Sequence, residues 1–156
     1  RLAELTQRRG IWARAEEYSF DHIASAAADL QRKGGLVGVG GHGELQGLGY
    51  HWEMWAMGMG GMTNVEVLRA ATIDGAKIIG VDLDLGSVEA GKLADLVVLD
   101  KNPLENIRNT NTIKYVMKNG EFYEGDTLNQ IWPVQRELAP FWWWDGDLRA
   151  KNNLGE

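Results

Sequence analysis

The chain has 156 residues, of which 44% are hydrophobic and 24% charged, with a formal net charge of −6 at pH 7. This composition suffices for one folded domain or for part of a larger one, and it argues against wholesale disorder. The acidic balance without a Lys/Arg cluster argues against a nucleic-acid partner, and the lack of cysteine removes disulfides, thiolate metal sites and Cys nucleophiles.

The first part of the chain indicates a lead-in, a helix and a buried strand. Residues 1–17 carry closely spaced charges and begin with neither an initiator methionine nor a signal peptide, so we expect a segment of a longer protein. Apolar residues then recur at helical spacing over residues 20–30, and Gly34 is a natural stop. Residues 36–39 are apolar and bounded by glycines, which predicts a buried strand of an α/β unit.

The middle of the chain predicts a glycine-rich loop and further helices. Residues 40–62 are dense in glycine, and loops that follow strands are where α/β folds place their sites. Within them, residues 51–57 predict a short helix rich in Trp and Met. Thr63 and Glu66 match a capping box for the next helix. A further helical piece over residues 72–79 ends at a glycine.

From residue 81 onward the pattern changes to strands. Residues 93–99 and 112–117 predict two strands. The Asn119-Gly120 pair then predicts a type I′ hairpin turn into a return strand over residues 121–123. The sequence therefore predicts an antiparallel, β-rich second part.

The order of these segments resembles one family. The stretches "MTNVEVLRAATIDGAKIIGV", "LGSVEAGKLADLVVLDKNPLENI" and "IKYVMKNGEFY" follow one another as in the C-terminal third of the metal-dependent amidohydrolase superfamily. The resemblance covers residues 35–128. The chain is most similar to the imidazolonepropionase-like and prolidase-like members, including those fused to a Tol-type propeller.

The resemblance implies an α/β plus β fold. The chain would form the C-terminal end of a (β/α)₈ TIM barrel followed by strands of a composite β-sandwich, with residues 36–39 as the eighth barrel strand. The implied divisions are the end of the TIM-barrel metal-dependent hydrolase domain over residues 1–80, sandwich strands over residues 81–128 and a Trp-rich C-terminal tail over residues 129–156.

The resemblance also implies a divalent metal, with zinc as the expected ion, in the full-length parent. The His-X-His pair among its usual ligands does not occur in this sequence, so we expect the segment itself to hold no metal. Another usual contributor is an aspartate at the end of the eighth strand, which binds metal and takes a proton from water. In this chain His42 stands near that place, with Glu44 two residues on.

His42 and Glu44 are therefore the candidate catalytic residues. His42 could bind a metal through a neutral imidazole nitrogen or polarise a carbonyl, and Glu44 could then be the base. The alternative is that both simply line a glycine-rich loop. By resemblance, His51, Trp52 and Glu53 would belong to the substrate pocket, with packing as the alternative. His51 and Glu53 would not chelate together, because positions i and i+2 of a helix do not share a face.

We expect a parent hydrolase that acts on C–N bonds, in an amide, a cyclic amide or a dipeptide, with metal-activated water. The segment alone should be inactive. The alternative hypothesis is a non-catalytic folding, oligomerisation or interaction module that associates through its sandwich edge and Trp-rich tail.

The expected partners follow from the same features. The parent would bind a small-molecule amide or peptide, with no nucleic acid. No membrane span is expected, since no apolar stretch approaches about 20 residues. An isolated segment would expose apolar faces, which favours a homo-oligomer. The resemblance to propeller-fused relatives leads us to expect a periplasmic or otherwise extracytoplasmic location, with the cytoplasm as the alternative. The lack of cysteine is compatible with both.

Overall fold

A computed structural model describes residues 19–42 and 45–139 of the chain. The predicted lead-in, Glu44 and the Trp-Trp-Trp run of the tail lie outside the described residues. The elements, in chain order, are α1 Phe20–Arg32, α2 Leu48–Met59, α3 Asn64–Ala70, α4 Ile73–Ile79, β1 Leu96–Leu99, the 3₁₀ helix η1 Ile107–Asn111, β2 Ile113–Lys118, β3 Glu121–Glu124 and β4 Gln130–Trp132.

The chain divides into two compact units. Among the described residues, unit 1 holds residues up to 92 together with residues 101–112, and unit 2 holds residues 93–100 together with residues 113–139. The helices and η1 therefore belong to unit 1, and the strands to unit 2. The predicted division of the parent protein into barrel, sandwich and tail remains a prediction.

The predicted helix stops are confirmed for α1 and α4. Gly34 has φ 87° and Gly80 has φ 75°, a left-handed conformation that glycine adopts without steric cost. After α1, the backbone N–H of Gly35 donates to the carbonyl of Leu30 and that of Gly34 to the carbonyl of Gln31. These two bonds satisfy carbonyls that have no partner inside the helix, and they turn the chain sharply at its end.

The predicted capping box at the start of α3 is confirmed, and the Glu66 carboxylate that forms it also binds Arg32. The backbone N–H of Thr63 donates to Glu66 Oε2 at 2.7 Å, and the N–H of Glu66 donates to Thr63 Oγ1 at 3.3 Å. The Arg32 side chain at the end of α1 donates to the same carboxylate through Nε (3.0 Å) and Nη2 (3.1 Å). Arg32 Nη2 also donates to the carbonyl of Gly61 at 2.6 Å. One ion pair thus joins α1, the end of α2 and α3.

The core of unit 1 lies between these helices. Its centre is Val67 on α3, whose exposed fraction is 0%. The buried residues packed with it come from α1, α2, α3 itself and the connecting segments: Ala28, Val37, Met54, Met57, Met62 and Ala70. Helices α1 and α2 meet at glycine, because a Cβ at Gly60 would lie 2.3 Å from the Cβ of Ala24. The helices can approach this closely only because Gly60 has no side chain.

The predicted strand over residues 36–39 is not observed. These residues form neither helix nor strand, and the strands of the described residues pair only with one another. A strand exists by pairing its backbone with a neighbour, which this segment lacks within the described part of the chain. Its apolar character serves the core instead, since Val37 is buried and Val39 packs against the same cluster.

Unit 2 is a four-stranded antiparallel sheet in the order β1-β2-β3-β4. The predicted hairpin is confirmed: Lys118 pairs with Glu121, and the two turn residues Asn119 and Gly120 have φ of 50° and 80°, as a type I′ turn requires. Asp95, just before β1, holds this turn by accepting from the Asn119 N–H at 2.6 Å and from the ammonium of Lys118. The short strand β4 was not predicted.

In the described ranges, no helix has the length and hydropathy that crossing a bilayer requires.

Substitution Val67→Ala tests the position of the core. We expect it to lower the free energy of unfolding by about 2 kcal/mol, because it removes buried methyl groups and leaves a cavity. The matched control is Val65→Ala on the same helix, where the side chain is 55% exposed and the change should stay within about 0.5 kcal/mol. Urea unfolding followed by circular dichroism measures both. Equal effects of the two substitutions would contradict the described packing.

The ion pair at Glu66 makes stability depend on pH. Hydrogen bonds from Arg32 and from the Thr63 backbone lower the pKa of Glu66 from 4.5 to about 2. Because the folded pKa lies below the unfolded one, the stabilisation is complete above about pH 4.5 and is lost as the pH falls towards 2.

We therefore expect Glu66→Gln to flatten the decline of the unfolding free energy between pH 5 and pH 2, about the interval that separates the two pKa values. Glu53→Gln, which makes the same change in charge at an exposed position, serves as the control and should keep the slope of the unmodified chain. Urea titrations at a series of pH values provide the measurement, and equal slopes for all three proteins would refute the role of Glu66.

Candidate functional site

The candidate catalytic residue His42 lies in the loop between residues 36–39 and α2. Its side chain is exposed, and its backbone has φ 51°, a conformation that residues other than glycine adopt uncommonly. The loop runs close to the start of α2, because a Cβ at Gly41 would lie 3.0 Å from the backbone nitrogen of Tyr50. Glu44, the predicted base, lies outside the described residues, so its pairing with His42 remains a prediction.

The donor set does not form a metal site by itself. Within residues 19–42 and 45–139, no three His, Asp or Glu side chains are close enough together to hold a metal ion. A catalytic metal usually needs three protein ligands. The described residues therefore do not fit a complete metal centre.

His51 lies in the first turn of α2, and its side chain is hydrogen-bonded. Its Nδ1 is 3.1 Å from the hydroxyl oxygen of Thr110, which lies in η1 and is only 4% exposed. The imidazole itself is partly buried, and this burial lowers the pKa of His51, since the imidazolium would lose hydration. His51 is consequently a neutral imidazole at neutral pH.

Trp55, one turn further along α2, binds the same hydroxyl. Its indole Nε1 donates to Thr110 Oγ1 at 3.1 Å, and the guanidinium carbon of Arg108 lies 5.0 Å from the centre of its ring. We call His51, Trp55, Arg108 and Thr110 the Thr110 cluster. The cluster forms because His51, Trp55 and Gly58, at positions i, i+4 and i+7, lie on one face of α2. That face packs against η1, since a Cβ at Gly58 would lie 3.4 Å from the Ile107 side chain.

Trp52 and Glu53, predicted with His51 as pocket residues, are not part of this cluster. Both side chains are exposed, and Trp52 retains 45% of its accessible surface. They follow His51 by one and two positions, so the helix turns them away from the face that contacts η1. Their place in a substrate pocket remains a prediction.

Sequence reasoning missed Thr110, Trp55 and Arg108 as a group. The i, i+4 spacing of His51 and Trp55 was a usable signal for a shared helix face. Nothing in the sequence paired them with Thr110, which lies 55 positions beyond Trp55. Only the packing of η1 against α2 brings the three side chains together.

Comparison with known proteins finds relatives that are named as enzymes. An imidazolonepropionase of Shouchella clausii (strain KSM-K16) is 44% identical over 79 residues, which are 48% of this chain and 18% of the relative. An ochratoxinase of Aspergillus niger is 33% identical over 75 residues, which are 46% of this chain and 16% of the relative. The chain thus spans less than a fifth of the length of these curated relatives.

Solved structures give the same picture. A Xaa-Pro dipeptidase with bound methionine in its active site matches with a TM-score of 0.59 and 33% identity, over 66% of this chain and 26% of that one. An amidohydrolase from Thermotoga maritima MSB8 matches with a TM-score of 0.53 and 26% identity, over 62% of this chain and 25% of that one. These similarities imply a fold of the TIM-barrel type.

The family profile itself decides the assignment. It is described as the Amidohydrolase family, and it matches residues 6–123, most of the chain and across both compact units. On this match, the chain belongs to the amidohydrolase family.

Proposed function

We propose that the chain is the C-terminal portion of an enzyme that hydrolyses a C–N bond in a small amide, cyclic amide or dipeptide. The observation that carries this proposal is the family match over residues 6–123. The named relatives support it, since they include an imidazolonepropionase, an s-triazine hydrolase of Gordonia rubripertincta and a Xaa-Pro dipeptidase.

The position of the chain within this enzyme is part of the proposal. Helices α1 to α4 would close the end of the TIM barrel, and strands β1 to β3 would belong to its composite β-sandwich. The two compact units support this division, because one is helical and the other is an antiparallel sheet. The chain matches about a quarter of the dipeptidase structure, which leaves the larger part of a barrel to be supplied by the rest of the enzyme.

The proposed site residues have separate tasks. His42 would contact the reacting group of the substrate, and Glu44 would take a proton from the attacking water. His51, Trp52 and Glu53 would line the substrate pocket. Enzymes of this family generally depend on a divalent metal, which lowers the pKa of bound water and so supplies hydroxide at neutral pH. Its main ligands would lie in the rest of the enzyme, since the described residues form no metal cluster.

The first test separates the segment from the complete enzyme. We expect the purified chain to bind no stoichiometric zinc and to turn over neither imidazolonepropionate nor Xaa-Pro dipeptides, because one histidine and one carboxylate do not make a catalytic metal centre. Elemental analysis and amidase assays measure this. The complete enzyme should bind metal and hydrolyse a C–N substrate. Zinc with turnover in the segment alone would refute the first expectation, and a complete enzyme without turnover would refute the proposed function.

The second test concerns His42 within the complete enzyme. Replacing it by alanine should lower kcat by about 100-fold or more, the usual contribution of a positioned acid–base or polarising group. The control is His22→Ala, since His22 is an exposed histidine on α1. It should leave kcat and KM unchanged. Steady-state kinetics would contradict the assignment if both variants behaved alike.

A further inference from the structure

The hydroxyl of Thr110 lies between two ring nitrogens, and its own proton needs a hydrogen-bond acceptor. Indole Nε1 of Trp55 can only donate, so Thr110 Oγ1 is the acceptor in that 3.1 Å bond. Among the described residues, the one acceptor within reach of the hydroxyl proton is His51 Nδ1, also at 3.1 Å. Thr110 is 4% exposed, and a buried hydroxyl proton without an acceptor is costly. The hydroxyl therefore donates to His51.

This direction of donation fixes the chemical form of the imidazole. A nitrogen that accepts a hydrogen bond carries no proton, so neutral His51 must hold its proton on Nε2. Burial of the ring lowers the pKa of His51 and keeps it neutral.

The Nε2–H of His51 is then a donor that is free to bind an acceptor. Within the described part of the chain it has no protein partner, and it is not among the buried polar atoms left without one, so water or a ligand can reach it. The backbone of α2 next to His51 lies close to the loop that carries His42, since a Cβ at Gly41 would lie 3.0 Å from the backbone nitrogen of Tyr50. A neutral donor at this place suits a carbonyl or carboxylate oxygen, because either is an acceptor without a proton to give.

We propose that Thr110 and Trp55 are positioning residues that hold His51 as its Nε2–H tautomer, so that it donates a hydrogen bond to an acceptor oxygen of the amide substrate. The inference rests on the proposed function for the identity of the ligand. The tautomer itself rests on the three side chains alone. Trp55 matters because its bond occupies the hydroxyl oxygen as an acceptor and leaves the hydroxyl proton for His51.

The tautomer is measured by long-range ¹H–¹⁵N correlation spectra of the 156-residue chain labelled at histidine. Its three histidines are assigned by the loss of one signal in each of His22→Gln, His42→Gln and His51→Gln. We expect His51 to show a protonated Nε2 and an Nδ1 shift typical of an accepted hydrogen bond. Thr110→Val should abolish that shift, whereas Thr110→Ser, which keeps the hydroxyl, should retain it. A protonated Nδ1 in the unmodified chain would overturn the inference.

The contact with substrate is measured on the complete enzyme with its C–N substrate. An asparagine at position 51 places its amide near Nδ1, whereas a glutamine reaches the place of Nε2. We therefore expect His51→Asn and Thr110→Val to raise KM about ten-fold with kcat little changed, as loss of a uniform binding contact does. His51→Gln and Thr110→Ser should recover most of that loss.

The outcomes separate this inference from the proposed function. Turnover by the complete enzyme with an unchanged KM in His51→Asn and Thr110→Val would overturn the contact while leaving the hydrolase intact. Absence of turnover with any C–N substrate would remove the proposed function and with it the substrate contact, whereas the spectra would still decide the tautomer. Unfolding curves of the Val and Ser variants distinguish a lost contact from a lost fold.

Discussion

The carboxylate of Glu66 is the constraint on which the helical unit depends. Its two oxygens accept from the Thr63 backbone, the Thr63 hydroxyl and the Arg32 guanidinium, while Arg32 also donates to the carbonyl of Gly61. The start of α3, the end of α1 and the turn after α2 are thereby held at one point. Because these bonds involve charged groups with several partners, they fix orientation more strictly than apolar packing does. Val67, in the turn of α3 that follows, is then placed in the centre of the core.

Helix α2 carries the core and the candidate site on different faces. Met54 and Met57 pack into the cluster around Val67, whereas His51 and Trp55 meet Thr110 of η1. Packing of the core face fixes the backbone of α2, and the hydrogen bond to Thr110 then orients the ring of His51.

The local parts of the fold could be predicted from the sequence, and the long-range parts could not. The capping box at Thr63, the glycine stops and the Asn119-Gly120 turn are set by neighbouring residues, so their patterns predict them directly. The strand predicted over residues 36–39 is not observed among the described residues, because an apolar run between glycines forms a strand only where a neighbouring strand pairs with it. Its place as the eighth strand of a complete barrel stays a prediction. The Thr110 cluster was missed because η1 and α2 are far apart in the sequence and come into contact only in the folded chain. The family, in contrast, was recognisable from segment order, and the match over residues 6–123 confirms it.

Unit 1 is made of two separate stretches of the chain, which limits how the protein can be shortened. The chain leaves unit 1 after residue 92, returns for residues 101–112 and leaves again. No uninterrupted stretch of coding sequence can therefore encode this unit without including a strand of the other. A gene shortened at residue 92 would retain His51 and Trp55 but would lack Thr110, which arrives with the second passage of the chain. The imidazole would lose the hydroxyl that orients it even if α1 to α4 still folded, so the Thr110 cluster needs both stretches of the chain that make up unit 1.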